Sequence, residues 1–333
     1  MSISVLQPGM LSSIQDLGRF GYQKHGVIVS GAMDAYSLRT ANLLVGNEEA
    51  EAALEMTLMG PSLLLKEDTL LAITGGDLSP TLNKQPVPMW RPLYVKAGSV
   101  LEFGACKSGC RAYLAVAGGY HIPVVMGSKS TYLRAGIGGY EGRALKEGDE
   151  LALQPMTEQN IRLMRRLQKE AGSRSVAFTP WYAEGSILQQ TGDITVRVTR
   201  GSQFEQFDDP SRQRFYSQPF QITPQSDRMG YRLSGPALQL KESLEMISEG
   251  VCLGTIQVPP DGNPIILLAD RQTAGGYPSI AQVAAVDIAV IAQMKPGQKL
   301  TFQEITVKEA EQLYFDRERD MEEMKTAIHL KFT

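Results

Sequence analysis

Short apolar runs that end at glycine, proline or aspartate recur along the chain, and they limit what it can fold into. Runs of this length are typical of β-strands, whereas helices need longer periodic segments. The clearest runs lie at residues 62–65, 70–74, 112–116, 194–199 and 265–269. The sequence therefore predicts a mainly β protein.

Helical periodicity interrupts this pattern in a few places. Residues 32–45 are predicted to form a helix capped by Ser30 or Gly31, and residues 48–57 to form a second, short helix. Residues 307–328 carry apolar side chains at spacings of three, four and seven. This spacing predicts an amphipathic tail helix.

The length of 333 residues exceeds the usual size of one domain and favours two. A polar, basic and helix-prone stretch at residues 157–175 is the natural connection between them. We therefore predict an N-terminal β-barrel at 1–155, a connector at 156–190, a C-terminal β-barrel at 191–306 and a tail helix at 307–333.

Two short patterns occur in both halves of the chain. Lys-x-Gly followed by an alternating strand appears in VKAGSVLEF from Val95, LKEGDELAL from Leu145 and MKPGQKLTF from Met294. AVAGGYHIP from Ala115 also resembles QTAGGYPSI from Gln272. Together these matches favour duplication of a β-barrel over coincidence.

Charge and composition exclude several kinds of partner. The formal net charge of −3 is too small to recruit nucleic acid or an anionic membrane. The basic connector has no interleaved aromatic residues, which favours a solvated helix face over a nucleic-acid site. No signal peptide and no apolar run of about 18 residues is visible, so no membrane span is expected. Three cysteines, an odd number, favour a reducing compartment. A cytoplasmic protein is expected.

Several common catalytic motifs are absent from the sequence. It has no G-x-x-x-x-G-K-[ST] loop, no G-x-G-x-x-G after a strand and no G-x-S-x-G elbow. Its three histidines are not paired at metal-ligand spacing, and Cys106 and Cys110 lack two further nearby ligands. A self-contained P-loop ATPase, a Rossmann enzyme and an α/β-hydrolase are therefore disfavoured.

The segment from Ser248 to Tyr277 concentrates polar and backbone-bending residues between stretches that resemble buried strands. A simple hairpin needs only a pair such as Asn-Gly. The polar members are Ser248, Glu249, Gln257, Asp261, Arg271, Gln272, Thr273 and Tyr277, and the glycines are Gly250, Gly254, Gly262, Gly275 and Gly276. Two interpretations stay open: a surface that binds a ligand, or a pair of solvated turns.

Another polar cluster precedes the first predicted helix and contains Gln15, Asp16, Arg19, Ser30 and Asp34. Backbone N–H groups at a helix N-terminus favour anions, so an oxyanion or a carboxylate is a candidate ligand. The alternative is that Asp16 and Arg19 form a local ion pair and that Ser30 caps the helix.

A pair of arginines, Arg228 and Arg232, flanks Gly230 in a predicted turn. Guanidinium groups in such a turn suit bidentate recognition of carboxylate or phosphate. The alternative is a pair of exposed arginines at a strand end. The sequence leaves both open.

Several motifs taken together resemble one known family. They are IQDLGRFGYQKHGV, SGAMD, ANLLVGN, LEMTLMGP, CRAYLAVAGGY, GSKSTYLRAGIGG, SDRMGYRLSGP, TIQVPPDGNPIILLADRQTAGGYP and MKPGQKLTF. They occur in one register between about Ser2 and Thr306. In this combination the chain resembles the KipA family, also called allophanate hydrolase subunit 2 or the biotin-dependent carboxyltransferase family.

The resemblance implies a mainly β fold with two cyclophilin-like β-barrel domains, a few short helices and a C-terminal helix. It also implies the role of the C subunit of ATP-dependent 5-oxoprolinase. With a KipI-like B subunit and an A subunit, such a protein converts 5-oxo-L-proline, a small cyclic amide, to L-glutamate. The expected cofactor is Mg-ATP, in a site shared with the partner subunit.

The same resemblance implies two alternative roles. One is the carboxyltransferase subunit of a biotin-dependent urea or amide carboxylase, and biotin is a cofactor only in that case. The other is a regulatory protein that antagonises a KipI-type inhibitor of a histidine kinase.

The implied chemistry suggests which residues act. A lactam carbonyl becomes a better electrophile when ATP phosphorylates its oxygen, and this step needs positioned donors and charge neutralisation. The candidate catalytic residues are Arg228, Arg232, Glu249, Gln257, Asp261, Gln272, Thr273 and Tyr277. The candidate substrate- or anion-binding residues are Gln15, Asp16, Arg19, Ser30, Asp34, Gly275 and Gly276. Glu249 and Asp261 are carboxylates suited to Mg²⁺ or an amine, but no set of protein metal ligands is predicted.

Overall fold

The computed structural model describes residues 2–185 and 194–332. The parts of the predicted domains that fall on residues 1, 186–193 and 333 lie outside this description. The chain divides into two compact units. The first comprises Met1–Arg19, Ser30–Leu188 and Met321–Thr333, and the second comprises Phe20–Val29 and Gln189–Asp320.

The described residues of the first unit form two six-stranded sheets. One sheet contains, in spatial order, Glu150–Ala152 (β11), Ser2–Gln7 (β1), Ser62–Leu65 (β4), Ser99–Glu102 (β9), Thr81–Leu82 (β6) and Gln85–Pro86 (β7). The other contains Val176–Phe178 (β12), Pro92–Val95 (β8), Thr69–Asp77 (β5), Ser108–Val116 (β10), Ala53–Thr57 (β3) and Leu11–Gln15 (β2).

The second sheet of this unit is buried on both faces, which explains the continuous apolar sequence of β5. Leu71 and Ile73 belong to a core shared with side chains of the first sheet. Leu70 and Ala72 alternate with them and belong to a second core. Helices cover that second core: Ala35–Leu44 (α1), Glu158–Ala171 (α2) and the C-terminal turns, from Met321, of Val307–Phe332 (α5).

The second unit contains a closed barrel. Around the barrel the described strands are Ile194–Arg200 (β13), Ser279–Val283 (β20), Thr255–Gln257 (β17), Ile265–Leu267 (β18), Gly230–Ser234 (β15), Phe220–Ile222 (β14) and Lys299–Glu304 (β21). Glu249–Gly250 (β16) and Ala274–Gly275 (β19) form a separate two-stranded sheet. Helices Asp209–Ser217 (α3) and Ile288–Ala292 (α4) belong to this unit, as does the part of α5 up to Asp320. Phe215 of α3 stacks on Phe302 at 4.5 Å between ring centroids.

The fold class predicted from the sequence is confirmed. The protein is mainly β, with a closed barrel in the second unit and a helix at the C-terminus. The Lys-x-Gly turns share one geometry: Gly98, Gly148 and Gly297 have φ of 80°, 86° and 90° and precede β9, β11 and β21. Glycine suits this left-handed conformation because it has no Cβ.

Two helix predictions need correction. The helix predicted at residues 48–57 is wrong, because its second half is strand β3, which pairs with both β2 and β10. This pairing outweighs local helix propensity. The first helix begins at Ala35 rather than Ala32, and its cap is Asp34, whose side chain accepts from the Ser37 N–H. Ser30 and Gly31 have positive φ and belong to the preceding turn.

The second Lys-x-Gly turn contains a carboxylate that makes stability depend on pH. Arg143 donates to Asp149 at 2.7 and 2.9 Å, and the Lys146 N–H donates at 2.7 Å. The Arg143 hydrogen bonds, and to a lesser extent that N–H, lower the pKa of Asp149. A lowered pKa stabilises the fold above about pH 4, and this contribution is lost as the pH falls through the folded-state value.

Asp149→Asn is expected to lower the free energy of unfolding by about 1.5–3 kcal/mol at pH 7, because the charge-assisted bonds weaken. The difference from wild type should shrink below about pH 4. Urea unfolding at pH 7 and pH 3 measures both values. Glu147→Gln, at an exposed position in the same turn, is the control. An equal loss at both pH values would contradict this role.

Candidate functional site

A cavity of about 220 Å³ lies in the second unit, beside β15, β18 and the two-stranded sheet. Two segments that are distant in sequence line this cavity: residues after β14 and residues around β19. It collects six of the residues predicted for function: Arg232, Gln257, Gln272, Gly275, Gly276 and Tyr277. The structure therefore brings these six residues together around one cavity.

Gln257 is the buried member of this group, at 4% exposure. Its Nε2 donates to the Tyr277 carbonyl at 3.0 Å, which joins the end of β17 to the segment after β19. Gly275 lies directly against it, because a Cβ at residue 275 would approach Gln257 Nε2 to 2.5 Å. Glycine at this position permits this close approach without a shift of the Gln257 side chain.

The two Gly-Gly-Tyr sequences differ in structure. Gly118 and Gly119 have φ of 84° and 85°, in a left-handed turn. Gly275, in contrast, is a strand residue of β19 that pairs with Glu249. Their likeness in sequence therefore reflects no common conformation, and the role of Gly275 is to admit the Gln257 side chain.

Arg228 forms a buried ion pair. Its Nε and Nη2 donate to the Asp270 carboxylate at 2.9 and 3.1 Å, and the two side chains are 5% and 7% exposed. The Asp270 N–H also donates to the Arg228 carbonyl at 2.8 Å. Bidentate pairing of this kind fixes both partners in one geometry.

Three other predicted catalytic residues of this unit do not line this cavity. Asp261 accepts from the Asn263 N–H at 3.0 Å and lines a separate cavity of about 500 Å³. Glu249 is exposed, accepts from Gln203 at 3.3 Å and lines a third cavity of about 180 Å³. Thr273 contributes its carbonyl to the two-stranded sheet region, where it accepts from the Val251 N–H at 3.2 Å. The structure does not place these residues with Arg232 in one cavity.

The cluster near the N-terminus lies in the first unit and is tied to residues 125–131. Asp16 accepts from the Ser128 hydroxyl at 2.7 Å, from the Lys129 N–H at 2.6 Å and from the Ser130 hydroxyl. Arg19 donates to the carbonyls of Val125 and Ser130 at 3.0 and 2.9 Å. Burial lowers the pKa of Arg19, and the charge of Asp16 opposes this shift.

The remaining members of this cluster are also buried. Gln15 donates to Ser13 Oγ at 3.0 Å and to the Thr131 carbonyl at 3.3 Å. Asp34 is occupied as the cap of α1, and its own N–H donates to the Tyr113 hydroxyl at 2.8 Å. Ser30 is 5% exposed. The hydrogen bonds of Asp16, Arg19 and Gln15 hold a loop in place, and Asp34 holds the helix start.

Arg271 lines the 220 Å³ cavity and is the residue that the sequence-based site assignment missed. It is half-buried, and its guanidinium donates to the carbonyls of Val251 and Leu268, each at 3.4 Å. The signal was present in the sequence, since Arg271 directly precedes Gln272 in the polar segment. The sequence does not show that Arg271 contacts Val251, which lies 20 residues earlier in the chain.

Residues 2–185 and 194–332 offer no cluster of metal ligands. In that part of the chain, no group of three or more His, Cys, Asp or Glu side chains is placed to hold a metal ion. No helix within these residues is long and apolar enough to cross a membrane.

The chain belongs to the family of carboxyltransferase domains with subdomains A and B, whose model matches residues 25–304. This confirms the family resemblance. The chain is 37% identical to the 5-oxoprolinase C subunit of Escherichia coli over 328 residues, 98% of this chain and 99% of that protein. It is 35% identical to the 5-oxoprolinase C subunit of Haemophilus influenzae over 99% of both chains. The solved structure of K. lactis urea amidolyase matches 96% of this chain and 20% of that chain, with a TM-score of 0.85 and 34% identity.

Proposed function

We propose that this protein is the C subunit of a 5-oxoprolinase, which converts 5-oxo-L-proline to L-glutamate together with a KipI-like B subunit and an A subunit. The observation that carries the proposal is similarity over the whole length of both chains to proteins named for that role. The odd number of cysteines, three, supports a cytoplasmic location as part of the proposal.

The proposed substrate site is the cavity with Arg232, Gln257 and Tyr277. Typical ligand pockets measure about 300–1,000 Å³, so a cavity of about 220 Å³ suits a small cyclic amide better than a nucleotide. Apolar side chains such as Met229 and Leu267 line it beside the polar groups. This combination suits a ring that carries a carboxylate and an amide.

ATP supplies the activating phosphoryl group in the proposed reaction, with Mg²⁺ as its counter-ion. The sequence has no phosphate-binding loop, and the cavity is small for a nucleotide. Both observations support a nucleotide site shared with the KipI-like subunit. In this arrangement the present chain binds and orients the lactam with positioned donors. The roles predicted for Arg228, Glu249, Asp261, Gln272 and Thr273 remain predictions.

A reconstitution experiment tests this function. The three subunits are purified and mixed, and glutamate formed from 5-oxoproline is measured with and without ATP and with each subunit omitted. We expect activity to require ATP and all three subunits. Unchanged activity without this chain would refute the function, whereas full ATP-dependent activity of this chain alone would refute the shared site.

A second candidate function is the carboxyltransferase step of a biotin-dependent urea or amide carboxylase. The family model and the match to K. lactis urea amidolyase favour it. In that case the same cavity receives a urea-like amide, and carboxybiotin supplies the carboxyl group. Carboxylation of urea by the reconstituted complex with a biotin carboxylase and carrier, and no turnover of 5-oxoproline, would select this alternative.

Gly275→Ala is expected to lower the kcat/KM of the reconstituted enzyme about tenfold or more. The new Cβ would approach Gln257 Nε2 to 2.5 Å, so the end of that side chain must shift within the cavity wall. A displacement of about 1 Å near a reacting group is enough for losses of this size.

Gly104→Ala is the matched control, because its Cβ would have 3.6 Å to the nearest neighbour and would keep the site intact. Thermal unfolding of both variants shows whether the loss is local. Wild-type kinetics in Gly275→Ala would show that the position of Gln257 does not matter for turnover.

A further inference from the structure

Arg271 is a half-buried cation whose surroundings do not neutralise it. Its two hydrogen bonds, to the carbonyls of Val251 and Leu268, are 3.4 Å long, beyond the usual 2.7–3.2 Å range. Across the described residues, the titratable neighbour that acts on it is Cys252 rather than a carboxylate. Burial lowers its pKa, yet an arginine in a protein stays protonated.

Arg271 differs from Arg228 of the same unit in how its charge is neutralised. Arg228 is buried too, but Asp270 neutralises it through two hydrogen bonds. Removing a charge from water without a partner is costly. The fold therefore neutralises one arginine internally and leaves the other facing a cavity, which is the arrangement expected for an anion-binding residue.

The cavity wall adds a second cation. Arg232 lines the same cavity from β15, and its side chain is exposed. The acidic side chain in the wall, Asp227, is engaged with its own turn, where it accepts from the N–H groups of Met229 and Gly230 at 2.8 and 3.2 Å. Two arginines and one carboxylate therefore line the cavity, and both bonds to that carboxylate end on a single oxygen, Oδ1.

We propose that Arg271, assisted by Arg232, binds the carboxylate of a small cyclic amide in this cavity. Guanidinium groups present paired N–H donors that match the two oxygens of a carboxylate. The apolar wall then contacts the ring of the ligand. This assignment deepens the proposed function and rests on it, since 5-oxoproline carries one carboxylate on a five-membered lactam ring.

Direct binding tests the assignment. The purified full-length chain, by itself and mixed with the KipI-like subunit, is titrated by calorimetry with 5-oxoproline, with 2-pyrrolidinone and with inorganic phosphate. 2-Pyrrolidinone keeps the lactam ring and lacks the carboxylate, so it should bind at least tenfold more weakly. Phosphate should bind more weakly than 5-oxoproline, because it cannot use the apolar wall.

Variants locate the site. Arg271→Gln should raise the Kd for 5-oxoproline about 10- to 100-fold, because it removes charge-assisted hydrogen bonds. Arg271→Lys keeps the charge and loses the bidentate geometry, so an intermediate Kd is expected. Arg319→Gln, at an exposed position of α5 in the same unit, is the matched control and should bind as wild type does.

Labelling of the wild-type chain tests the assignment even if a variant fails to fold. Arginine side chains of the wild-type chain are labelled with a dicarbonyl reagent, and the modified residues are identified by mass spectrometry. 5-Oxoproline should protect Arg271 from labelling and should leave Arg319 unprotected. Equal labelling of Arg271 with and without ligand, or wild-type affinity in Arg271→Gln, would overturn the assignment.

The same experiments separate this assignment from the proposed function. Activity that depends on this chain, together with an unchanged KM in Arg271→Gln, would leave the function standing and reject the anion site. Carboxylate-dependent binding that Arg271→Gln abolishes, without any turnover of 5-oxoproline, would support the site and reject the function. Tighter binding of phosphate than of 5-oxoproline would reassign the arginines to a phosphate and refute the carboxylate.

Discussion

Asp270→Ala is expected to destabilise the protein by about 3–5 kcal/mol, because it leaves the buried guanidinium of Arg228 without its counter-ion. Both side chains are nearly inaccessible, at 5% and 7% exposure, so water cannot replace the lost carboxylate without local opening. Urea unfolding followed by circular dichroism measures the change. Asp261→Ala, which removes an exposed carboxylate that caps a turn, should cost about 1 kcal/mol or less.

A paired substitution shows whether the cost comes from the unpaired charge. Replacing Arg228 with methionine and Asp270 with leucine removes both charges and should recover most of the stability lost in Asp270→Ala. A loss below about 1 kcal/mol in Asp270→Ala would contradict the structural role of the pair. Arg228 would then be available for the catalytic role that the sequence predicts.

Asp16→Ala is expected to destabilise the first unit by about 3–5 kcal/mol. The Asp16 carboxylate accepts from two hydroxyls and from the backbone N–H groups of Gly18 and Lys129. A buried donor left without a partner costs about 1–3 kcal/mol, and reorientation of the hydroxyls keeps the total below the full sum. Tryptophan fluorescence during urea unfolding reports on this unit, because Trp90 and Trp181 both lie in it.

The control for this prediction is Asp77→Ala, which removes a carboxylate that accepts from the Ser79 N–H at 2.7 Å. Its cost should be about 1 kcal/mol. Asp16 was predicted to bind an anion or the substrate. Normal stability of Asp16→Ala with loss of activity would support that role and contradict the structural one.

The local sequence pattern was sufficient to predict the secondary structure where residues close in sequence determine the conformation. The runs at residues 62–65 and 194–199 are strands, and the apolar spacing after residue 307 becomes a helix that ends at Phe332. The Lys-x-Gly turns were recognisable for the same reason, since their conformation depends on a single glycine. The family, too, was recognisable from motifs and is confirmed by the family model.

The local sequence pattern gave the wrong secondary structure where pairing with distant strands decides the conformation. The segment at residues 48–57 has helix-forming residues, but strands on both sides of Ala53–Thr57 make it the interior of a sheet. The start of α1 was misplaced because Ser30, Gly31 and Asp34 are all acceptable caps by residue type. Their backbone angles, set by the turn before the helix, leave the cap to Asp34.

The sequence by itself determined the mainly β character, the tail helix, the family and the polar segment that supplies part of the candidate site. It did not determine which polar residues are free to bind. The sequence favoured Arg228 over Arg271 as a catalytic residue, yet the tertiary structure pairs Arg228 with Asp270, 42 residues away, and places Arg271 at a cavity. A buried charge is neutralised only by a counter-ion that lies close to it in space. Arg228 and Asp270 come close to each other only when the barrel has folded.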